Sequence, residues 1–363
     1  MADNAVSSPF LTMVVVNFGF SLMNVLLKKV LDMGLSPLVF VTYRLLVSTI
    51  FLAPVGFFWE RQSRPKLTLQ ILFSLFCSAV VGTSVTQYLF LLGIQYTSAT
   101  FACAFVNLTP VLTFIMALPF GLERVNIRSN TGRAKVVGTV VCVGGAMLLT
   151  LYRGAPLFGN RSSDDVSVRE TRLITTSSKG RPSGERWSLG TVALVVGSFL
   201  WSSWFLVQSK VSQRYPCQCS STAIISFFGS IQSALLCLAT SGWKPSAWAL
   251  KGTLEILTVL YAGIVGSGLC YVGMSWCVKK RGPVFTAAFS PLIQIMAALI
   301  DIPFLHEQLH LGSLLGSMIV IIGLYTLLWG KRKEIKTSQE GQNPKEEDPQ
   351  LHGLRVLGDP PCP

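Results

Sequence analysis

The sequence predicts an all-α membrane protein with ten transmembrane helices, arranged as two inverted repeats of five helices each. The first observation is composition: 50% of the 363 residues are apolar, 13% are charged and the mean hydropathy is +0.53. Soluble domains average about 25% charged residues. The second observation is an internal repeat, in which Gly82–Glu123 aligns with Gly266–Glu307 without a gap. Duplicated apolar halves are typical of secondary transporters.

The repeat extends to the last helix of each half. The segment from Gly138 resembles the segment from Gly316, and Gly145 aligns with Gly323. Each half therefore holds five helices. Because five is odd, the second half enters the membrane upside down relative to the first. Identical pairs 184 positions apart include Phe101 and Phe285, Phe105 and Phe289, Leu108 and Leu292, Pro119 and Pro303, Phe120 and Phe304, and Glu123 and Glu307.

Ten segments have the length of about 20 mostly apolar residues that a spanning helix needs. They are continuous runs rather than alternating patterns, which excludes a β-barrel. The predicted spans are Phe10–Leu27, Pro37–Trp59, Leu69–Gly93, Ala99–Phe120, Val136–Tyr152, Leu189–Gln208, Ser220–Thr240, Gly252–Val278, Val284–Leu305 and Leu311–Trp329.

The distribution of Lys and Arg predicts that both termini are cytosolic, because most basic residues of the short loops then lie inside. This distribution also explains the net charge of +13 without a nucleic-acid partner. Asn160, in an Asn-Arg-Ser sequon of the predicted outer loop, is a glycosylation candidate. The plasma membrane and the vacuolar membrane both remain open. The predicted divisions are a first repeat at 1–152, a flexible linker at 153–187, a second repeat at 188–330 and a disordered cytosolic tail at 331–363.

Five segments, in order along the chain, resemble one family of plant proteins. They are Pro37–Thr68, Thr97–Ala117, Ala134–Gly154, Trp201–Pro216 and Leu305–Glu334. The family is the Walls-Are-Thin-related, nodulin-like transporters, also called usually-multiple-acids-move-in-and-out transporters, of the EamA drug/metabolite transporter superfamily. The resemblance implies two inverted five-helix EamA repeats, with substrates among amino acids and, in some members, auxin. The chain departs from the family at Gly121, where a basic residue is usual, and at Cys217 and Cys219, where a small or apolar stretch is expected.

Polar side chains at membrane depth are costly, so we expect them to face a cavity or a partner helix. Arg44 is a candidate counter-charge for a substrate carboxylate. Alternatively, it pairs with backbone carbonyls or an acid, or reaches the outer interface. The amides of the first span equally fit interhelical hydrogen bonds. The candidate cavity residues are Asn17, Asn24, Arg44, Gln87, Asn107, Thr109, Tyr271 and Gln294.

Two prolines and two acids are candidates for gating or structural roles. Pro110 and Pro291 should each interrupt a spanning helix, because proline removes a backbone hydrogen bond. Glu123 and Glu307 close equivalent helices and should pair with basic loop residues. A proton relay through Asp301, His306 and Glu307 is the alternative.

The sequence contains no P-loop, dinucleotide-binding glycine pattern or zinc-ligand cluster, and its three histidines offer little for acid–base chemistry. We therefore expect a protein that is not an enzyme and that needs no cofactor or metal. The predicted function is secondary transport of amino acids or small organic acids across a lipid bilayer by alternating access. The alternatives are auxin as substrate, a sugar-phosphate exchanger and a membrane receptor without flux. The oligomeric state is open.

Overall fold

The computed structural model describes residues 2–61, 65–97, 99–123, 129–152, 184–241, 248–250, 252–305 and 311–340, and within these ranges the regular structure is helical. The α-helices are α1 (Ala2–Asp32), α2 (Pro37–Trp59), α3 (Leu69–Ala79), α4 (Val85–Tyr96), α5 (Ala99–Asn107), α6 (Thr109–Ala117), α7 (Asn130–Leu151), α8 (Gly184–Arg214), α9 (Gln218–Ser241), α10 (Thr253–Tyr261), α11 (Tyr271–Arg281), α12 (Pro283–Ala288), α13 (Ser290–Leu305) and α14 (Leu311–Glu340). Two π-helices complete the set: π1 (Val80–Ser84), between α3 and α4, and π2 (Ala262–Cys270), between α10 and α11.

Among the described residues, six helical segments are long and apolar enough to cross a membrane. Three shorter apolar helices, Phe101–Ala117, Pro283–Ala297 and Leu315–Gly330, overlap the predicted fourth, ninth and tenth spans. The predicted fifth span overlaps α7. The six long segments are Ser8–Leu31, Pro37–Trp59, Leu69–Tyr96, Trp187–Arg214, Gln218–Thr240 and Thr253–Arg281.

Two helices extend past predicted boundaries of the chain's divisions. The final helix α14 continues to Glu340, so the first ten residues of the expected disordered tail are helical. No glycine or proline interrupts the run from Lys331 to Glu340, and its Lys, Arg and Glu residues favour helix. Similarly, α8 begins at Gly184, inside the expected linker. The rest of the linker, with Asn160, and residues 341–363 lie outside the described residues.

Proline divides two of the membrane helices, at the positions that the sequence predicts. Pro110 is the second residue of α6, and the break between α5 and α6 falls at Leu108. Pro291 is the second residue of α13, and the break between α12 and α13 falls at Phe289. At each break the chain forms a tighter turn, in which Leu108 N donates to Phe105 O at 3.1 Å and Phe289 N to Thr286 O at 3.2 Å.

The two π-helices occupy overlapping positions of the internal repeat, since residues 80–84 correspond to 264–268. Both contain a glycine in close contact with a neighbouring helix: Gly82 lies against the Trp204 ring, and Gly266 against Met23 Sδ. A side chain at either glycine would overlap its neighbour. Short π-helical segments inside α-helices frequently mark functional sites.

Five pairs of α-helices dominate the packing. Helix α2 packs against α9, and α7 against α14. Helix α1 packs against α13, while α8 packs against α4 and α6. The contact between α7 and α14 depends on small residues, because a Cβ on Gly138 would lie 2.5 Å from Leu327 N and one on Gly145 would lie 2.6 Å from Val320 N.

The carboxylate of Glu60, at the end of α2, fixes the start of α9. It accepts hydrogen bonds from the backbone N–H groups of Cys219 and Ser220, at 2.9 and 2.8 Å. These donors belong to the first turn of α9, where intrahelical partners are missing. Glu60 therefore acts as an N-terminal cap supplied from another helix.

Large apolar side chains cover the outside of the helices. Trp59 is 85% exposed, Phe58 77% and Tyr325 71%. In water such a surface would be unstable, whereas in a bilayer these side chains contact lipid. Polar groups such as Arg44, Asn107 and Gln208 are buried instead.

Candidate functional site

A small polar cavity lies where α2, α8, α9, α11 and the two π-helices meet. It has room for about one water molecule. Six of its nine wall residues carry a hydroxyl group, although the helices that supply them are predominantly apolar. The wall consists of Leu45, Thr83, Trp204, Thr222, Ile225, Ser226, Ser267, Tyr271 and Ser275.

The π-helices bring two repeat-equivalent hydroxyls to this cavity. Thr83 of π1 and Ser267 of π2 are 184 positions apart, the separation of the internal repeat, and each is 1% exposed. Both directly follow the glycines that contact Trp204 and Met23. The two halves of the chain therefore meet at the cavity through equivalent residues.

Three polar atoms of the cavity wall have no hydrogen-bond partner in the described part of the chain: Trp204 Nε1, Thr222 Oγ1 and Ser267 Oγ. All three residues are at most 3% exposed. An unpaired buried polar group costs about 1–3 kcal/mol. The indole N–H is a donor only, so it requires an acceptor.

Three other wall residues are already paired, and the first is Thr83, whose hydroxyl donates to Ala79 O at 2.6 Å. The hydroxyls of Ser226 and Ser48 lie 3.3 Å apart, and Gln208 Nε2 donates to Ser275 Oγ at 2.8 Å. The unmet hydrogen-bonding capacity of the cavity is thus concentrated on the side of Trp204, Thr222 and Ser267.

Arg44 lies beside the cavity and is only 4% exposed. Its Nη1 is 3.7 Å from Met23 Sδ, and its guanidinium interacts with the hydroxyl of the wall residue Tyr271. Nε and Nη2 have no hydrogen-bond partner within the described ranges, and no carboxylate there lies in ion-pair contact with Arg44. A buried charge without a counter-charge is costly. This arrangement favours a ligand that supplies the negative charge.

Aromatic contacts hold the Trp204 indole in place. It stacks on Trp201 with 5.3 Å between ring centroids and 8° between ring planes, and it meets Tyr271 edge-on at 5.6 Å. Tyr271 in turn meets Phe20 edge-on at 5.7 Å. The unpaired N–H therefore belongs to a ring whose orientation is fixed by packing.

Three other predicted cavity residues form a separate cluster near the break between α5 and α6. Asn107 Nδ2 donates to Gln294 Oε1 at 3.1 Å and to Ala146 O at 3.2 Å. The Thr109 hydroxyl donates to Val106 O at 2.6 Å. The cluster links α5, α7 and α13, and none of its members lines the small cavity.

The remaining predicted cavity residues have different surroundings. Asn17 is buried and donates to Phe289 O at 3.2 Å, at the break between α12 and α13. Asn24, on the same helix, is exposed. Gln87 is half-buried and does not line the cavity, although its repeat equivalent Tyr271 does. Arg44 and Tyr271 are thus the two predicted residues that the structure brings to the cavity.

Of the predicted gating residues, Glu123 forms a buried ion pair in which Lys135 Nζ lies 2.8 Å from Glu123 Oε1. Their side chains are 5% and 2% exposed. Pro110 and Pro291 lie at the two helix breaks described above. Glu307 and His306 lie outside the described residues.

Sequence reasoning missed most of the cavity wall. Trp204 enters the sequence argument only as part of the family-like segment Trp201–Pro216. A usable signal was the density of hydroxyls in the apolar helix α9, which carries Ser220, Ser221, Thr222 and Ser226. Hydroxyls at membrane depth are explained by a cavity or by interhelical hydrogen bonds.

The chain is similar in sequence to one family of plant membrane proteins. Residues 7–151 and 188–329 match the sequence model of the EamA-like transporter family. Two WAT1-related proteins of Arabidopsis thaliana are each 50% identical to the chain, one over 95% of this chain and 93% of its own length, the other over 93% and 90%. A third is 44% identical over 90% of this chain and 88% of its own length. One crystal structure of a protein superposes with a TM-score of 0.63 at 15% identity, over 90% of this chain and 99% of that one, a likeness that concerns the fold alone.

Proposed function

The chain belongs to the EamA-like transporter family and is an integral, multi-pass membrane transporter, and on that premise we propose that it is a secondary transporter of amino acids or related small organic acids. It acts across a plant membrane by alternating access, either as a facilitator or driven by a gradient. The surroundings of Arg44 are the main support for this substrate class. Arg44 is a buried cation that has no carboxylate partner in the described residues, and it lies beside a hydroxyl-lined cavity.

The proposal includes two inverted repeats, with the first at 1–152 and the second at 188–330. Two pairs of contacts support the repeat symmetry. Asn17 of α1 donates to the carbonyl of Phe289, and Ser198 of α8 donates to the carbonyl of Phe105, both at 3.2 Å. Phe105 and Phe289 are repeat equivalents, so Asn17 and Ser198 occupy equivalent places, 181 positions apart.

A second pair of contacts has the same spacing. Met23 of α1 contacts Gly266, and Trp204 of α8 contacts Gly82. Met23 and Trp204 are also 181 positions apart. Each half thus inserts its first helix into the other half, which is the arrangement expected for two repeats related by a two-fold axis in the membrane plane.

Alternating access requires elements that rearrange around a central site. The two proline breaks and the two π-helices supply such elements in both halves, and π1 and π2 contribute Thr83 and Ser267 to one cavity. In transporters, substrates bind near the midplane, where interrupted helices of the two repeats meet. The cavity is too small for an amino acid in the present conformation, so binding requires the halves to separate there.

Of the alternative substrates, auxin also carries a carboxylate, so Arg44 suits it equally well. A phosphorylated sugar would call for more than one cation. Arg44 is the one Lys or Arg side chain among the described residues that is buried and not paired with an acid. A sugar-phosphate exchanger is therefore less well supported than a carboxylate transporter. A membrane receptor without flux would give the Arg44 charge no role in transport.

For orientation, we propose that both termini are cytosolic and that Asn160 lies on the opposite side, in the plasma membrane or the vacuolar membrane. Expression in plant cells should give a glycosylated protein whose gel mobility increases after treatment with an N-glycosidase or in Asn160→Gln. Glycosylation of a sequon introduced into the loop at 124–128 would contradict this orientation.

The proposed function is tested by uptake into proteoliposomes that contain the purified chain. Radiolabelled amino acids and indole-3-acetic acid are supplied with and without a pH gradient. We expect saturable uptake of at least one of these compounds and a loss of about tenfold or more in Arg44→Gln. Arg61→Gln, which removes an exposed charge, is the matched control and should keep the wild-type rate. If neither compound class is moved in any condition, the substrate assignment is wrong.

A further inference from the structure

Three polar atoms in the wall of the cavity between the π-helices favour a ligand that accepts hydrogen bonds. Trp204 Nε1, Thr222 Oγ1 and Ser267 Oγ line its wall, and none of them has a hydrogen-bond partner among the residues that the structure describes. Trp204 can only donate a hydrogen bond, and the two hydroxyls can do so. A ligand that satisfies all three together is an acceptor.

The charge near the cavity has the sign that favours an anion. Arg44 interacts with the hydroxyl of Tyr271, which forms part of the wall. None of the nine wall residues is acidic. A cation would therefore meet an uncompensated positive charge and no carboxylate, whereas an anion would meet donors from several directions.

The size of the cavity limits the ligand. Room for about one water molecule excludes a whole amino acid or a sugar phosphate. It suits a halide ion, or one carboxylate group after a modest separation of the walls. We propose that this cavity is an anion site that takes one compact anionic group, either free chloride or the carboxylate of the transported substrate. The carboxylate version rests on the proposed function, whereas the chloride version is independent of it.

The proposal is tested by ligand-dependent stability of the purified full chain in detergent. Sodium chloride and sodium acetate are titrated separately, with sodium isethionate, whose anion is too bulky for the cavity, keeping the ionic strength constant. A ligand that binds only the folded state raises the melting temperature saturably. Stabilisation by chloride alone identifies a halide site, stabilisation by acetate alone identifies a carboxylate site, and stabilisation by both identifies a site that accepts either.

Three variants test whether the anion that stabilises the protein binds in the cavity. Trp204→Phe removes the indole N–H and retains an aromatic ring, and the concentration for half-maximal stabilisation should rise about tenfold or more. Ser267→Ala should act in the same direction. If Trp204→Phe does not fold, Thr222→Val and Ser267→Ala provide the test, and both should raise the anion concentration for half-maximal stabilisation. The matched control is Ser230→Ala, because this buried hydroxyl of α9 donates to Phe227 O and lies outside the cavity wall, and its response should match the wild type.

Two results would overturn the proposal. One is the absence of any saturable stabilisation by chloride or acetate in the wild type, which would leave water as the occupant. The other is stabilisation that persists unchanged in Trp204→Phe and Ser267→Ala, which would locate the anion elsewhere. Neither result depends on flux, so failure of this site and failure of the transport assignment are distinguishable.

Discussion

The hydroxyl of Ser21 in α1 lies 2.8 Å from the carbonyl oxygen of Ile293 in α13 and 2.7 Å from that of Asn17 in its own helix, so its one proton is shared between the two acceptors. Ser202 occupies the equivalent place in α8, 181 positions later, but its hydroxyl has no hydrogen-bond partner in the described part of the chain. Both serines are fully buried. The contacts of Asn17 and Ser198 are alike in the two halves, whereas these serine contacts differ. The structure is therefore asymmetric at one equivalent pair, as expected if it represents one of two alternating conformations.

Small residues at the α7–α14 contact should be sensitive to the addition of a single methyl group. Gly323→Ala places a Cβ against Cys142 N, and Gly138→Ala places one 2.5 Å from Leu327 N. Because the obstructing atoms are backbone, the helices must move apart. We expect both variants to lower the melting temperature in detergent and the yield of monodisperse protein.

The control for this prediction is the neighbouring glycine Gly144, where an added Cβ meets nothing within 4 Å. Gly144→Ala should melt at the wild-type temperature or above it, since alanine favours helix. Equal losses in Gly144→Ala and Gly323→Ala would show that the contact geometry is not the cause.

The buried pair of Glu123 and Lys135 should be strongly coupled. Glu123→Gln leaves the Lys135 ammonium, whose side chain is 2% exposed, without its carboxylate. Removing one partner of a buried ion pair costs about 3–5 kcal/mol. We expect a marked fall in melting temperature for Glu123→Gln, and partial recovery in the double variant Glu123→Gln/Lys135→Met. A double variant that is less stable than either single variant would argue against the coupling.

The cap that Glu60 provides for α9 should contribute measurably to stability. Glu60→Ala leaves the N–H groups of Cys219 and Ser220 without the carboxylate, which should cost about 1–2 kcal/mol. Glu60→Gln keeps one acceptor and should lose less. Thr68→Ala, which removes a longer cap bond of 3.4 Å at the exposed start of α3, is the comparison and should lose the least. Thermal melts of the four proteins in one detergent give the order.

Local chemistry explains which features could be predicted from the sequence. The breaks near Pro110 and Pro291 follow from the missing proline N–H, and the contacts of Gly82 and Gly266 follow from the absence of a side chain. Arg44 could be singled out because a charge in an apolar span requires an explanation. These inferences need no knowledge of which helices become neighbours.

The cavity wall could not be predicted in the same way, because it depends on the π-helices. An α-helix turns about 100° per residue, so the wider turns of π1 and π2 change which side chains face inward along the rest of the segment. The 184-residue repeat predicts equivalent roles for Gln87 and Tyr271, but Tyr271 lines the cavity and Gln87 does not. Equivalent sequence positions thus mark where the halves meet without fixing what each half contributes.

The most direct test of alternating access compares Ser21→Ala with Ser202→Ala in proteoliposomes in which the orientation of the protein is known. Ser21→Ala removes a hydrogen bond present in this conformation, whereas Ser202→Ala removes one that should form, to the carbonyl of Thr109, only in the opposite conformation. One hydrogen bond of about 0.5–1.5 kcal/mol changes the ratio of the two conformations by about two- to tenfold.

The measured quantity is the ratio of half-saturation concentrations for uptake from the two sides of the membrane. We expect the two variants to change this ratio in opposite directions. Changes in the same direction, or no change in either variant, would contradict this expectation.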